Sequence, residues 1–487
     1  MFNIVKLTIA LLPILIIISS ILLLLISISW RRNHFLNFLI SITGLSCSLM
    51  SLFFIPSKIP IDINFLIRLD GFAIFYSSLV LIFSLLTCIL SHSGFINYKY
   101  DIDEFYVLLL LSTVGCLLLV SSVHMSSLFI GLELVSIPLF GLIGYVKYNK
   151  KALESTFKYL ILSGISSSFL LFGIALVYIC VGGLSFIEIQ HILNINSSLH
   201  HITLLLCGLV MILVALFFKI SLFPCHLWIP DVYEGMTSLV LTYFSTVVKI
   251  AMFIILVRLF LYLPINKIIF LNQICSWVAF FSILFGNIMA LFQYNLKRLL
   301  AFSSISHMGY ALLILISDNS YPYFLETIGL YLIAYSMSNF VVFSIMHFMS
   351  NSSDKRNSDL LDHYQGFFWK YPLLTLILTS MIFSLAGIPI SLGFISKFLL
   401  LSAVTMSHFW FSIIAIILGS IISLYYYLRI IINFFYSLNL RESCNMMYDH
   451  VSRVDKSIVV FLGMMNIFFG FRPDFLINFI HYYQPFL

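Results

Sequence analysis

The chain has 487 residues, of which 61% are hydrophobic and only 9% charged, with 25 Lys+Arg against 19 Asp+Glu and a formal net charge of +6. Soluble domains carry about 25% charged residues, and a soluble protein with this much apolar surface would expose it as large patches. Soluble-enzyme, disordered and nucleic-acid-binding classes are excluded; at about 20 apolar residues per crossing, the chain supplies roughly 14 transmembrane helices.

In chain order, the apolar runs predict spans over 7–29, 35–55, 71–91, 104–123, 125–146, 152–180, 202–223, 236–263, 271–292, 297–317, 323–349, 372–403, 408–438 and 457–482. The runs are continuous, as in Leu205–Phe218, whereas a membrane barrel would alternate apolar and polar residues in short strands. Helices satisfy their own backbone in lipid, so the expected fold is an all-α polytopic membrane protein. Two stretches between spans are polar, Gly182–His201 and Ser350–Lys370. The first apolar run is too long for a signal-peptide core and reads as span one.

The eight cysteines form no C-x-x-C pair, which argues against iron–sulfur, haem or disulfide frameworks. No nucleotide-binding glycine pattern occurs either. Lys and Arg fall unevenly between alternate loops: fourteen follow odd-numbered spans, five lie on the other side and six are inside spans. The positive-inside tendency then places both termini on the non-cytoplasmic side of an even number of spans.

The six cations inside spans are Lys158, Lys219, Lys249, Arg258, Lys397 and Arg429, and the clearest internal anion is Glu133. A charge at mid-bilayer costs at least about 2.5 kcal/mol on insertion scales and typically marks an ion path or an ion pair. Near a helix end, the alternative is a long side chain that snorkels to the interface. Arg258 and Arg429 are read that way. Lys249 is not, because at 1.5 Å per residue it lies about 20 Å from either end of its span. Lys219 precedes Pro224, and Lys397 follows Gly387, Pro389 and Gly393. Both cations therefore sit beside expected helix breaks, where freed carbonyls and water can gather.

Glu133 lies one turn before Pro138, and an antiparallel hairpin would bring it near the level of Lys158. That pairing is one option; separate roles are the other. His307 lies about 15 Å into its span, and His226 adjoins the Pro224 break. A lysine in water titrates near 10.4, and burial alone can lower a lysine by 3–5 units. Buried lysines joined by water are thus a candidate proton relay, while nothing in the chain favours an organic solute.

Three stretches carry a family resemblance. Phe218-Lys219-Ile220-Ser221-Leu222-Phe223-Pro224-Cys225-His226-Leu227-Trp228-Ile229-Pro230-Asp231 resembles the K-x-x-x-x-P-x-H-x-W-x-P-D signature of antiporter-like proton-pumping subunits. Asn295 through Tyr310, reading N-L-K-R-L-L-A-F-S-S-I-S-H-M-G-Y, resembles another of their motifs, and Gly387 through Lys397 resembles G-[IL]-P-x-x-x-G-F-x-x-K. The end after about fourteen spans, Lys397 in place of a paralogue's glutamate, and the Trp30–Asn37 and Arg68–Phe72 stretches resemble the N-type branch in bacterial NADH–quinone oxidoreductases, the respiratory complex I enzymes.

The resemblance implies an arrangement of N-terminal spans 1–103, two inverted five-helix repeats over 104–263 and 271–438 with broken spans 7 and 12, and a C-terminal span in 439–487. It implies a proton relay in which Glu133 modulates Lys219, Lys249 and His307 pass protons along a central axis, and Lys397 is the terminal donor, with Lys158 and His226 as supporting members. It implies no cofactor in this chain, with FMN, iron–sulfur clusters and quinone held by partner subunits. The implied partners are other membrane-arm subunits, the peripheral arm and lipid, in a bacterial inner membrane. The competing implication is a subunit of a multisubunit Na⁺/H⁺ antiporter.

Overall fold

The computed structural model describes residues 2–55, 60–95, 103–146, 149–194, 199–317, 323–350, 359–407, 409–436 and 452–483. Several cations used in the orientation count, Lys58, Lys99, Lys147, Lys355, Arg356 and Arg441, lie outside the described residues.

The chain opens with α1 (Phe2–Trp30) and α2 (His34–Ser51), then a small antiparallel hairpin of β1 (Ile61–Ile63) and β2 (Ile67–Leu69) with Ile61 opposite Leu69, then α3 (Gly71–Phe95). Next come α4 (Asp103–Ser121), α5 (Met125–Ile143), α6 (Lys150–Val181), the short α7 (Phe186–Asn194), α8 (Leu199–Ile220) and α9 (Trp228–Gly235). The following span is α10 (Ser238–Tyr243) running through a π-helical turn at Phe244–Val248 into α11 (Lys249–Tyr262). After α12 (Ile269–Leu291), α13 (Leu296–Ile316) and α14 (Phe324–Ser350) come the one-turn α15 (Phe367–Lys370), α16 (Pro372–Ala386), α17 (Leu392–Met406), α18 (Trp410–Phe435), α19 (Arg453–Phe471) and α20 (Asp474–Tyr483).

Thirteen helices among the described residues are long and apolar enough to cross a membrane, and α16 with α17 stands where a fourteenth was expected. The protein is an all-α polytopic membrane protein. Side-chain caps define many helix starts: Asn33, Asn149 and Asn295 each accept from the amide two residues on, and Ser452 accepts from Asp455. The last expected span is shorter than its apolar run. It ends at Phe471, and Pro473, which has no N–H to continue a helix, precedes the separate α20.

Three spans form the centre: α10–α11, α13 and α14 are buried throughout their most apolar stretches. The outer helices wrap them, with α4 packed on α5, α6 on α8, and α12 on α13. Wrapping explains why polar residues are tolerated at the centre, since other helices rather than lipid surround it.

Both expected helix breaks are present. α8 stops at Ile220, one residue beyond Lys219, and Ser221 follows at φ +73. α16 stops at Ala386, Gly387 follows at φ +84, and Ile390 also takes positive φ before α17 begins. Left-handed conformations are rare for residues with a Cβ, most of all β-branched ones, and such outliers gather at functional sites.

Candidate functional site: a buried cation axis

Lys219 is buried in the last turn of α8, and its Nζ donates to Ser163 Oγ of α6 at 2.6 Å. Glu133 of α5 accepts from Ser136 Oγ at 3.1 Å. Its charge reaches both Lys219 and Tyr159, but no ion pair forms with Lys219.

Lys249 opens α11 immediately after the π-helical turn. Its Nζ donates to Ser304 Oγ of α13 at 2.8 Å and to Ser221 Oγ at 3.3 Å, and it lies 5.8 Å from the Tyr233 ring centre. The positive-φ Ser221 beside Lys219 therefore turns its hydroxyl toward the next lysine. Two cations separated by 30 residues in sequence are joined through one strained turn.

His307 of α13 shares a hydrogen bond with Tyr331 through Nδ1 at 2.8 Å and with Tyr427 through Nε2 at 3.4 Å. It lies within electrostatic reach of both Lys249 and Lys397. Lys397 of α17 reaches back across the break to donate to the carbonyls of Leu385 and Ala386 at 2.9 and 2.8 Å. Its ammonium also lies 5.5 Å from the Tyr310 ring centre. A small cavity with room for about one water is lined by His307, Tyr331, Tyr335, Ser338, Ser384 and Lys397, among others.

The axis lysines differ in their partners from five other cations, though not from Arg429, which also bonds to carbonyls. Lys219, Lys249 and Lys397 bond to hydroxyls or carbonyls, and none has a carboxylate partner among the described residues. Lys151, Lys158, Lys297, Arg258 and Arg298 all pair with Asp or Glu. A hydroxyl both donates and accepts, so it can hand a proton to or from a lysine, whereas a fixed carboxylate holds the ammonium charged.

The sequence-based site residues divide accordingly. Lys219, Lys249, His307 and Lys397 lie along one buried polar axis, with Glu133 at its flank. Lys158 does not pair with Glu133: it is 41% exposed and binds Asp231 and Glu154, each at 2.7 Å. His226 is buried between Phe223 and Phe285, with ring centres 5.5 and 4.6 Å away, and bonds to none of the lysines.

One snorkelling expectation is corrected: Arg258 is fully buried, donating to Asp70 at 2.8 Å and to the Val120 carbonyl at 2.6 Å. Arg429 is part-buried and donates to the carbonyls of Leu291 and Gln293 at the end of α12, at 2.9 and 2.6 Å. Residues not anticipated include Ser163, Ser304, Tyr331 and Tyr427. Ser304 lies inside the Ser303-Ser304-Ile305-Ser306 run, a density of hydroxyls that was a usable signal; the tyrosines resemble ordinary core.

This fold and buried axis define a polytopic membrane protein with a candidate ion path. The family profile described as NADH:quinone oxidoreductase/Mrp antiporter, transmembrane, matches residues 122–423. The chain belongs to that family. A chain of respiratory complex I from Thermus thermophilus, solved with bound aureothin, is 27% identical with a TM-score of 0.81, over 96% of this chain and 98% of that one. The membrane-bound sulfane sulfur reductase, an archaeal respiratory membrane complex, matches at 21% identity and TM-score 0.85 over 97% and 96%. The Mrp complex from Dietzia sp. DQ12-45-1b matches at 17% and 0.82 over 97% and 96%. The last two likenesses bear on the fold alone.

Proposed function

We propose that this chain is the N-type antiporter-like subunit of a bacterial proton-pumping NADH:quinone oxidoreductase. In this reading it translocates protons through Lys219, Lys249, His307 and Lys397, with Glu133 modulating Lys219 and with Lys158 and His226 in supporting places. The flanking helices divide into two inverted repeats over 104–263 and 271–438. Electron transfer, with FMN, iron–sulfur clusters and quinone, belongs to partner subunits of the membrane and peripheral arms. The chain sits in the inner membrane with both termini on the periplasmic side.

The observation that carries the reading is the set of neutral oxygens around Lys219, Lys249 and Lys397. A purely structural cation would be expected to carry a counter-ion, as Lys151, Lys158, Lys297, Arg258 and Arg298 do. Lys219 precedes its proline by five residues and Lys397 follows its own by eight, yet the two placements have a common physical sense. One lysine belongs to the last turn of the first half-helix, and the other reaches back to the carbonyls of the first half-helix. Each places a cation at the negative end of a helix dipole.

The test is NADH-driven proton pumping by the whole complex carrying Lys219→Ala or Lys397→Ala. The expected result is fewer protons pumped per electron in a complex that still assembles; normal ratios in both would refute the relay. A second reading, a subunit of a Na⁺/H⁺ antiporter, is favoured by the Mrp part of the family description. Co-purification with flavin and iron–sulfur proteins supports the first reading, and its absence from a stable membrane complex supports the second.

A further inference from the structure

The residues leading into Lys249 are not alike on its two sides. Beyond it, Ile250–Val257 is uninterrupted apolar helix until Arg258. Before it, Ser238, Thr242, Ser245 and Thr246 are all buried and follow one another at helical spacing up to Lys249. The hydroxyls of Thr242, Ser245 and Thr246 turn back on the carbonyls of Leu239 and Thr242. Such back-bonding explains how hydroxyls fit a buried helix. It does not explain why they stop at Lys249.

At the start of this ladder stands a titratable group that the axis does not use. His347, in the last turn of α14 and buried, meets Ser238 Oγ through Nδ1 at 3.4 Å, and Ser238 Oγ in turn lies 3.3 Å from Ser350 Oγ. α3 passes so close on the other face that a Cβ at Gly94 would overlap His347 Nε2. Lys297 of α13, itself paired with Asp359 at 3.0 Å, lies within electrostatic reach of the imidazole. The ends of α3 and α14 and the start of α10 all lie on the side to which the Lys/Arg excess assigns the cytoplasm.

We propose that His347 and the hydroxyls of Ser238, Thr242 and Thr246 form a proton-uptake branch that feeds Lys249 from the cytoplasmic side. This rests on the proton-relay reading above and adds the route by which the central lysine is reloaded. The imidazole takes a proton at one ring nitrogen and gives up the proton on the other to Ser238. Each hydroxyl accepts one proton and passes its own onward, with water bridging the steps longer than a hydrogen bond. The neutral Lys249 amine accepts the last. One proton crosses, and every intermediate group returns to its starting state once it reorients.

The experiment measures protons pumped per NADH oxidised by the whole complex in vesicles, with assembly judged by native gel and by NADH oxidation with an artificial acceptor. His347→Gln, Thr242→Val and Gly94→Ala are expected to lower the ratio. Thr242→Ser, which keeps the hydroxyl, and His347→Glu, which keeps a titratable group, are expected to retain more of it than their inert counterparts. Lys249→Ala is run alongside. A loss with Lys249→Ala but normal ratios with both His347→Gln and Thr242→Val overturns the uptake branch while leaving the relay standing. No loss with Lys249→Ala overturns the relay itself, and the branch with it. If His347→Gln fails to assemble, the Thr242→Val and Thr242→Ser pair decides: equal ratios overturn the branch, and a loss confined to valine supports it.

Discussion

Lys397 spans the break between α16 and α17 to hold the Ala386 carbonyl at 2.8 Å, so one ammonium bridges the two halves of a broken helix. Gly387, which follows Ala386, makes this geometry possible. It adopts φ +84, and a Cβ there would lie 2.8 Å from Lys397 Cδ. Gly387→Ala is therefore expected to push the lysine away from its carbonyls and to strain the turn. Proton pumping should fall with this variant while the complex still assembles, measured as acidification per NADH in vesicles. Unchanged pumping would show that the bridge is incidental.

Arg258 and Asp70 make a wholly buried ion pair in which Asp70 also caps α3 by accepting from the Ala73 amide at 2.7 Å. Breaking such a pair by removing one partner typically destabilises by about 3–5 kcal/mol, because a charge is left buried alone. Asp70→Asn keeps a capping oxygen but strands the arginine, so it is expected to lower the thermal midpoint and yield of the complex. Adding Arg258→Met should recover much of that loss. A double variant no better than the single one would show that the partnership is not what matters there.

This pair also shows how far the sequence could be read. Depth along the helix singles out Lys249 because its span is long and unbroken around it, and helical rise alone settles the distance. The same ruler misplaces Arg258, which lies five residues from Leu263: it measures the way out and is blind to Asp70, 188 residues away in the chain. The helix breaks at Ser221 and Gly387 were visible as proline and glycine punctuation. The π-helical turn at Phe244–Val248, which sets the rotation of Lys249, carries no comparable local signal. Ser163 and Tyr331 reach the axis only through tertiary packing, and nothing in their own neighbourhoods distinguishes them.

Ser163 is the hydrogen-bond acceptor for Lys219. Ser163→Ala removes that oxygen and leaves a buried ammonium with one fewer partner. Pumping is expected to fall, by less than with Lys219→Ala, because water can take the place of the hydroxyl. Initial acidification rates of the two variants at matched NADH oxidation check the order; a larger loss with Ser163→Ala would contradict it.

At the ends of α6 and α13, Glu234 joins Lys151 and Arg298, with the Arg298 contact at 3.0 Å. Burial pushes its carboxyl upward, but the two cations outweigh burial and hold it below the ordinary glutamate range. A depressed carboxyl contributes stability above its unfolded pKa of about 4.3 and loses it as pH falls through the folded value. Glu234→Gln should therefore destabilise near neutral pH, by about 1 kcal/mol or less for a partly exposed network, and this difference should vanish in acid. Thermal midpoints of both forms across pH check this; a difference growing toward acid would be the wrong sign.

The central claim is that Lys249 works by releasing and regaining a proton, rather than by holding a fixed charge. Lys249→Arg separates the two, since arginine keeps the charge and does not deprotonate in proteins. The measurement is the number of protons pumped per NADH by the assembled complex with lysine, arginine or methionine at position 249. The account predicts that arginine fails as methionine does. Full pumping with arginine would contradict it.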